Sequence, residues 1–227
     1  VLGVLVERIA YRPLRNAASS LAVLITAIGV SYFLQNIALL IFGADAKIFS
    51  PIVNLPNLQL FGDKLSISAI TIITILTCIV IMIGLTLFIK KTRAGQAMQA
   101  VSEDKGAAQL MGINVNATIA LTFAIGSALA AVAGALMCSA YPQLTPYTGT
   151  MPGIKAFVAA VFGGIGSIPG AVVGAFIIGI CENLIRSVSI GGVSLTPFSD
   201  AFTFALLIVI LCVKPSGLFG EKVTDKV

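Results

Sequence analysis

The chain has 227 residues, of which 58% are hydrophobic and only 10% are charged, and its mean hydropathy is +1.05. A soluble domain carries roughly 25% charged residues, so this composition excludes an ordinary soluble protein. The net charge is +5, but the basic residues stand at the ends of apolar runs rather than in a patch. This placement argues against nucleic-acid binding; the residues are Arg8, Arg12, Arg15, Lys90, Lys91 and Arg93.

Long uncharged stretches dominate the sequence. Crossing the hydrocarbon core of a bilayer as a helix takes about 20 apolar residues. The apolar runs are continuous rather than alternating, which favours helices over an outer-membrane barrel. By the positive-inside rule, the basic clusters around residues 8–15 and 90–93 predict that both regions are cytoplasmic and that 44–64 is an outer loop. The stretches long enough to cross are 16–44, 65–89, 113–154 and 156–181.

We therefore expect an all-α polytopic membrane protein, with residues 1–227 forming a single transmembrane domain. Val1–Ile9 is apolar but too short to cross, so we expect it to be the end of a first helix that is truncated at its N-terminus. About five full crossings are predicted, at Ser20–Gly43, Leu65–Ile89, Asn116–Ala140, Ala171–Arg186 and Pro197–Val213.

Glycines interrupt one apolar region. Gly153–Phe162 is too short to span, and Gly163, Gly164, Gly166 and the Pro169-Gly170 pair then break the helical pattern. A break at membrane depth is tolerated only where protein or water surrounds it. We expect a re-entrant half-helix that enters from outside and turns back at the glycines; the alternative is a single broken crossing over 153–186. The spacing of residues 166, 170 and 174 indicates tight helix packing, or backbone groups aimed at a solute path.

The polar segment 90–115 lies between two apolar spans. Thr92 is predicted to cap a first short helix, whose small and apolar residues at 94, 97, 98 and 101 share one face. Ser102 is predicted to cap a second helix, with Glu103 and Asp104 in its first turn, and Gly112 to end it. The pattern favours a docking surface for a cytoplasmic partner over a linker without a partner.

No catalytic or metal-binding constellation is visible, and we expect no cofactor on this chain. There is no histidine and no G-x-x-x-x-G-K-[ST] phosphate loop, so nucleotide chemistry would have to be on another chain. The cysteines have no C-x-x-C spacing and are predicted to pack as small apolar residues. They are Cys78, Cys138, Cys181 and Cys212.

Polar residues in apolar surroundings are candidates for a solute pathway. Gln35 and Asn36 lie in mid-span, where hydrogen bonding between helices and solute lining are both open. Glu182 and Arg186 are spaced to form an ion pair on one helix. Lys155 could meet a carboxylate-bearing solute or anchor at the headgroups. The candidate pathway residues are Gln35, Asn36, Lys155, Gly163, Gly164 and Gly166.

Four segments in this order resemble one family, the H-type permease subunits of branched-chain amino-acid ABC importers. They are VERIAYRPLRN (6–16), TRAGQAMQAVSEDKGAAQLMGI (92–113), GIKAFVAAVFGGIGSIPGAVVGA (153–175) and KPSGLFGEK (214–222).

The resemblance implies a multi-pass subunit of the bacterial cytoplasmic (inner) membrane that forms half of an alternating-access pore. It implies a second, M-type permease, two ATPase subunits that carry ATP and Mg²⁺, and an extracytoplasmic protein that binds leucine, isoleucine or valine. Segment 92–112 would be the coupling helices. A urea or short-chain amide importer resembles the same family, and an ATP-independent channel or a membrane scaffold remain alternatives of other classes. The coupling contacts implied here are Gly95, Ala100, Asp104, Ala108 and Gly112.

Overall fold

A computed structural model describes residues 1–16, 20–49, 58–60, 65–190, 193–214 and 216–220 of the chain. The fold is all-α, and the strands among these residues form short antiparallel pairs. By length and composition, five helices among the described residues could cross a membrane. The chain divides into two compact units, Val1–Thr148 and Gly149–Val227. The first prediction, an all-α polytopic membrane protein, is confirmed.

The first unit contains six helices among its described residues. They are α1 (Leu2–Val6), α2 (Ser20–Phe42), α3 (Ala69–Lys91), α4 (Arg93–Glu103), α5 (Lys105–Leu110) and α6 (Val115–Ala140). A π-helical turn, Glu7–Tyr11, and a 3-10 turn, Pro13–Asn16, follow α1. The short helix α1 packs against α6 so closely that a Cβ at Gly3 would overlap the Ser127 side chain.

Short strands lie in the connections of the first unit. Lys47–Ile48 pairs with Gln143–Leu144, and Leu58–Leu60 pairs with Leu65–Ile67. The predicted crossing from Leu65 was wrong at its start, because residues 65–67 are extended and α3 begins only at Ala69. Within the predicted outer loop 44–64, residues 50–57 and 61–64 lie outside the described part of the chain.

The second unit contains α7 (Thr150–Gly163), α8 (Ile168–Ser187) and α9 (Ser199–Val213). Ser189–Ile190 pairs with Val193–Ser194 between α8 and α9, and a 3-10 turn, Thr196–Phe198, leads into α9. The predicted start of the fourth crossing, near Ala171, was too late. Pro169 stands in the first turn of α8, where its missing N–H costs nothing, and Ser167 caps that turn through the Gly170 N–H at 3.2 Å.

Helices α7 and α8 form an antiparallel hairpin. Gly163 at the end of α7 faces Gly170, near the start of α8, while Lys155 near the start of α7 reaches Glu182, near the end of α8. The chain therefore reverses direction at residues 164–167, and the alternative of a single broken crossing is wrong. Gly164 and Gly166 have positive φ, which permits the reversal. At about 1.5 Å per residue, the 14-residue α7 is shorter than a bilayer core.

The close approach within the hairpin explains its glycines. A Cβ on Gly174 would lie 2.7 Å from the Ala159 carbonyl oxygen, and one on Gly163 would overlap the Gly170 backbone. Small residues of this kind let helix backbones pack closely where lipid removes the hydrophobic driving force. The core of this unit forms beside the contact; its members are Val158, Ala159, Phe162 and Ile178.

The segment after α9 folds back onto the end of α7. The Leu218 N–H donates to the Phe162 carbonyl and the Phe219 N–H to the Gly163 carbonyl, both at 2.9 Å. These carbonyls belong to the last turn of α7, which has no helical partner for them. Leu218 also packs against the core of the unit. The tail thus satisfies backbone groups that the glycine turn would leave open.

We predict that Gly174→Ala destabilises the protein by about 1–3 kcal/mol, because the added Cβ overpacks the α7–α8 contact. The matched control is Gly179→Ala on the same helix, where a Cβ would meet nothing within 4 Å. This control should be neutral or slightly stabilising, since Ala favours helix over Gly. Unfolding of the purified protein in detergent measures both. Equal effects of the two substitutions would contradict the close contact.

Candidate functional site

The helix pair α4–α5 joins the membrane helices α3 and α6 through very short connections. Thr92 alone separates α3 from α4. Its hydroxyl donates to the Phe88 carbonyl at 2.6 Å and accepts from the Gly95 N–H at 3.1 Å. One side chain therefore ends α3 and caps α4, as the sequence predicted for the cap. A Cβ on Gly95 would overlap the backbone of Ile89, so α4 turns tightly against the end of α3.

The joint between α4 and α5 is also a single residue. Asp104 Oδ1 accepts from the N–H groups of Gly106 and Ala107, at 2.7 and 3.1 Å. The prediction that Ser102 caps the second helix was wrong: Ser102 lies within α4, and its hydroxyl donates to the Gln99 carbonyl. Asp104 has the extended backbone that an N-cap requires, and its carboxylate also favours the positive end of the helix dipole.

Gly112 ends the pair as predicted. It has a φ of +81°, its N–H donates to Gln109, and the Ile113 N–H reaches back to Ala108. This is the paired hydrogen-bond pattern of a Schellman cap, which requires the left-handed residue. Asn114 then caps α6 through the Ala117 N–H at 3.1 Å. Helices α4 and α5 both contact α6, so the pair is braced at both ends.

The predicted coupling contacts fall on two sides of this pair. Gly95 and Ala108 are buried, Ala100 is partly exposed, and Asp104 and Gly112 are exposed. The buried positions hold the pair to its own membrane helices, whereas the exposed ones can meet a partner. Their role in coupling stays a prediction.

The sequence analysis did not single out two exposed apolar side chains at the end of α5. Leu110 is 90% exposed and the following Met111 is 83% exposed. They stand in a polar segment that contains exposed Lys105 and Gln109, so they are unlike the exposed apolar residues of the long apolar helices. An adjacent Leu-Met pair just before a predicted C′ glycine is the signal that could have found them.

A charged cluster joins the three helices of the second unit. Lys155 of α7 lies 2.6 Å from Glu182 of α8 and 2.8 Å from Asp200 of α9. The contact to Asp200 is an ion pair without the alignment of a hydrogen bond. Arg186 forms the predicted ion pair with Glu182 and donates through Nε to the Ser199 hydroxyl at 3.5 Å.

The cluster changes the interpretation of Lys155. Its ammonium group contacts two carboxylates of its own chain rather than being directed at the headgroups. Sequence reasoning paired Glu182 with Arg186 by helical spacing but missed Asp200, which opens α9. Only the antiparallel arrangement of the three helices brings residues 155, 182 and 200 together.

The other candidate pathway residues are described by the contacts within their own elements. Gln35 donates to Ser31 at 3.3 Å and Asn36 to the Tyr32 carbonyl at 2.8 Å, each one turn back within α2. Gly163 and Gly164 are buried in the glycine turn, and Gly166 is exposed on its outside. Within the described residues, no group of three or more His, Cys, Asp or Glu side chains could hold a metal ion.

We predict that Lys155→Met destabilises the protein by about 1–3 kcal/mol, between the values for exposed and buried ion pairs, because it leaves Asp200 without the cation it faces. Adding Asp200→Asn should recover part of this loss. Unfolding of the single and double variants gives the coupling energy. Lys105→Met on exposed α5 is the control and should change little; strictly additive effects at 155 and 200 would contradict the ion pair.

The fold and these two regions define a class: a polytopic membrane protein with a polar helix pair braced between two of its spans. A family model described as the permease component of branched-chain amino acid transport systems matches residues 1–211. The chain belongs to this permease family.

Curated relatives agree over nearly the whole chain. It is 45% identical over 225 residues to the Escherichia coli K12 high-affinity branched-chain amino acid transport system permease protein LivH, covering 98% of the chain and 71% of that protein. It is 42% identical to the BraD permease protein of Pseudomonas aeruginosa, covering 99% and 72%. Identity to a probable LivH protein of Methanocaldococcus jannaschii is 32%, covering 97% and 72%. No solved structure gives a significant match.

Proposed function

We propose that this chain is a permease subunit of a binding-protein-dependent ABC importer for leucine, isoleucine and valine. The similarity to LivH and BraD permease proteins over almost the full chain supports this class of solute. The five candidate spans and the permease family support a multi-pass place in the bacterial cytoplasmic (inner) membrane. The subunit forms half of an alternating-access pore with a second permease, and an extracytoplasmic binding protein delivers the solute.

Energy comes from two partner ATPase subunits, which carry ATP and Mg²⁺; this chain carries no cofactor. The absence of a phosphate-loop motif from the sequence is consistent with this division of labour. The observation that carries the proposal is the α4–α5 pair: Thr92 alone connects it to α3, Asp104 alone joins its two helices, and residues 111–114 connect it to α6. A pair held in this way would transmit a displacement at its surface to both membrane helices, α3 and α6.

The partner contact includes Leu110 and Met111. They are the large apolar side chains that α5 and its end expose most, next to Gly112 and at the opposite end of α5 from Asp104. Apolar anchors surrounded by polar groups carry most of the energy of a protein interface. Seating these two side chains in an apolar recess of the ATPase would remove them from water and fix α5 against it.

We predict that Leu110→Asp lowers ATP-driven leucine uptake by about tenfold or more, because loss of a central apolar anchor costs about 2 kcal/mol. The measurement is uptake and ATPase activity of the assembled complex in proteoliposomes. The protein should still fold, since Leu110 is exposed. Leu110→Met is the conservative control, and Gln96→Asp tests a new charge on exposed α4; both should retain uptake. Full coupling in Leu110→Asp would contradict the docking assignment.

Asp104→Ala tests the joint rather than the contact. Loss of this N-cap costs about 0.5–2 kcal/mol of helix stability, so we expect lower uptake per ATP hydrolysed with the complex still assembled. Asp104→Asn, which can cap equally well, should restore coupling. Loss of coupling in both variants would assign Asp104 a charge contact with the partner instead of a capping role.

The alternative solute is urea or a short-chain amide. Binding of labelled leucine and labelled urea to the cognate extracytoplasmic binding protein separates the two. We expect saturable leucine binding that isoleucine and valine displace, and no urea binding. The reverse result would contradict the proposed solute class and leave the permease architecture unaffected.

A further inference from the structure

The segment KPSGLFGEK, which follows α9, is part of the family resemblance, and the contacts proposed for the ATPase do not involve it. Its residues 216–220, here called the strap, lie across the last turn of α7. The N–H groups of Leu218 and Phe219 donate to the carbonyls of Phe162 and Gly163, both at 2.9 Å. The strap therefore holds the end of α7 through backbone groups rather than through polar side chains.

Two further hydrogen bonds fix the shape of the strap itself. The Gly217 N–H donates to the Lys214 carbonyl at 2.9 Å, and Lys214 Nζ donates to the Leu218 carbonyl at 2.7 Å. Gly217 has a φ of +76°, a conformation that glycine adopts without steric cost. The strap is thus a turn that begins directly at the end of α9 and connects it with the end of α7.

The contact between the strap and the glycine turn leaves no room for side chains. A Cβ on Gly217 would lie 2.6 Å from the Val161 carbonyl oxygen, and one on Gly164 would overlap the Gly220 backbone. Gly163, Gly164 and Gly217 are all buried. Backbone lies directly on backbone here, and a gap that cannot take a methyl group cannot take a water molecule.

The strap covers one side of the glycine turn. Phe162 is 2% exposed under it, whereas Ile165 is 77% exposed on the other side of the turn. A broken helix at membrane depth presents backbone groups that can line a solute path. The strap occupies two of these groups, the carbonyls of Phe162 and Gly163.

Opening the strap would leave these two carbonyls without donors. Within a membrane such groups must be satisfied by protein or by water, so an open strap admits water to the turn. Water at this depth gives a small polar solute a route that the closed strap denies it. Loss of one backbone hydrogen bond shifts the equilibrium between closed and open strap by about tenfold.

We propose that the strap is a seal, which keeps the glycine turn dry and prevents solute from crossing the permease without ATP. The seal rests on the proposed function for its solute and for the ATP-driven transport that it protects. Leu218 and Phe219 are positioning residues, because their N–H groups hold the end of α7 closed and need not touch the solute.

Phe219 allows a matched pair of substitutions, because its side chain is 55% exposed while its N–H is bonded to α7. Phe219→Pro removes the N–H, and Phe219→Ala retains it. Proteoliposomes that contain the complete assembly are loaded during reconstitution with labelled leucine and labelled urea, without ATP. We expect Phe219→Pro to speed the escape of leucine about tenfold and Phe219→Ala to leave it at the wild-type rate.

The same assemblies supplied with ATP give a second readout, the leucine taken up per ATP hydrolysed. Leakage through an open strap should lower this ratio in Phe219→Pro and not in Phe219→Ala. A merely structural role for the strap would leave fewer folded complexes, so uptake and ATP hydrolysis would fall in proportion and the ratio would stay unchanged. That result would overturn the seal.

A second pair of variants carries the test if Phe219→Pro fails to assemble. Gly217→Ala places a Cβ against α7, whereas Gly43→Ala has the same unfavourable positive φ but meets nothing within 4 Å. We expect faster escape of leucine from Gly217→Ala and wild-type escape from Gly43→Ala. Equal escape from the two variants would assign the effect to backbone strain and overturn the seal.

The proposed function and the seal fail in different ways. If the wild-type assembly takes up no leucine with ATP, the proposed function is contradicted. If Phe219→Pro releases urea but retains leucine, the seal stands and the proposed solute class is contradicted. If Phe219→Pro releases neither solute faster than the wild type, the seal is overturned, whether or not the assembly transports leucine.

Discussion

The structure depends on one constraint: inside a bilayer, every backbone N–H and C=O group must find a partner within the protein. Continuous helices meet it along the five candidate spans. The glycine turn after α7 breaks the helical ladder, and the tail supplies the missing donors through Leu218 and Phe219. The glycines serve the same purpose, because bare backbones can approach closely enough to bond. A Cβ on Gly217 would lie 2.6 Å from the Val161 carbonyl oxygen, so the tail could not sit there with a larger residue.

Polar side chains connect the helices within each unit. In the first unit, Thr92 caps α4 at its one-residue joint with α3, and Asp104 caps α5 at its one-residue joint with α4. In the second unit, Lys155 links α7 to α8 and α9 through two carboxylates. The exposed end of α5 is the part of the first unit that we propose to contact a partner, whereas the charged cluster ties the three helices of the second unit together.

Much of the fold could be predicted because its signals are local. Long stretches without charged residues predict the membrane spans. Thr92, a residue type that favours the N-cap, and Gly112, which favours the C′ position, predict where the α4–α5 pair begins and ends. Errors arose where two residues competed for one role: Ser102 and Asp104 can both cap a helix, and only the backbone conformation decides between them. The candidate site was harder, because its contacts are distant in sequence. Helical spacing pairs Glu182 with Arg186, but nothing local connects Lys155 with Asp200, forty-five positions later. The docking of the tail on α7 is likewise a tertiary event without a local pattern.

The central claim is that this chain forms part of the solute pathway and that separate ATPase subunits hydrolyse the ATP that drives transport. The most direct measurement is leucine uptake into proteoliposomes that contain either the chain alone or the chain with the second permease, the ATPases and the binding protein. The account predicts concentrative uptake only in the complete assembly with ATP and Mg²⁺ on the ATPase side, and background levels in every other condition. Saturable leucine uptake by the chain alone, without ATP, would contradict it and assign the protein to the channels or facilitators.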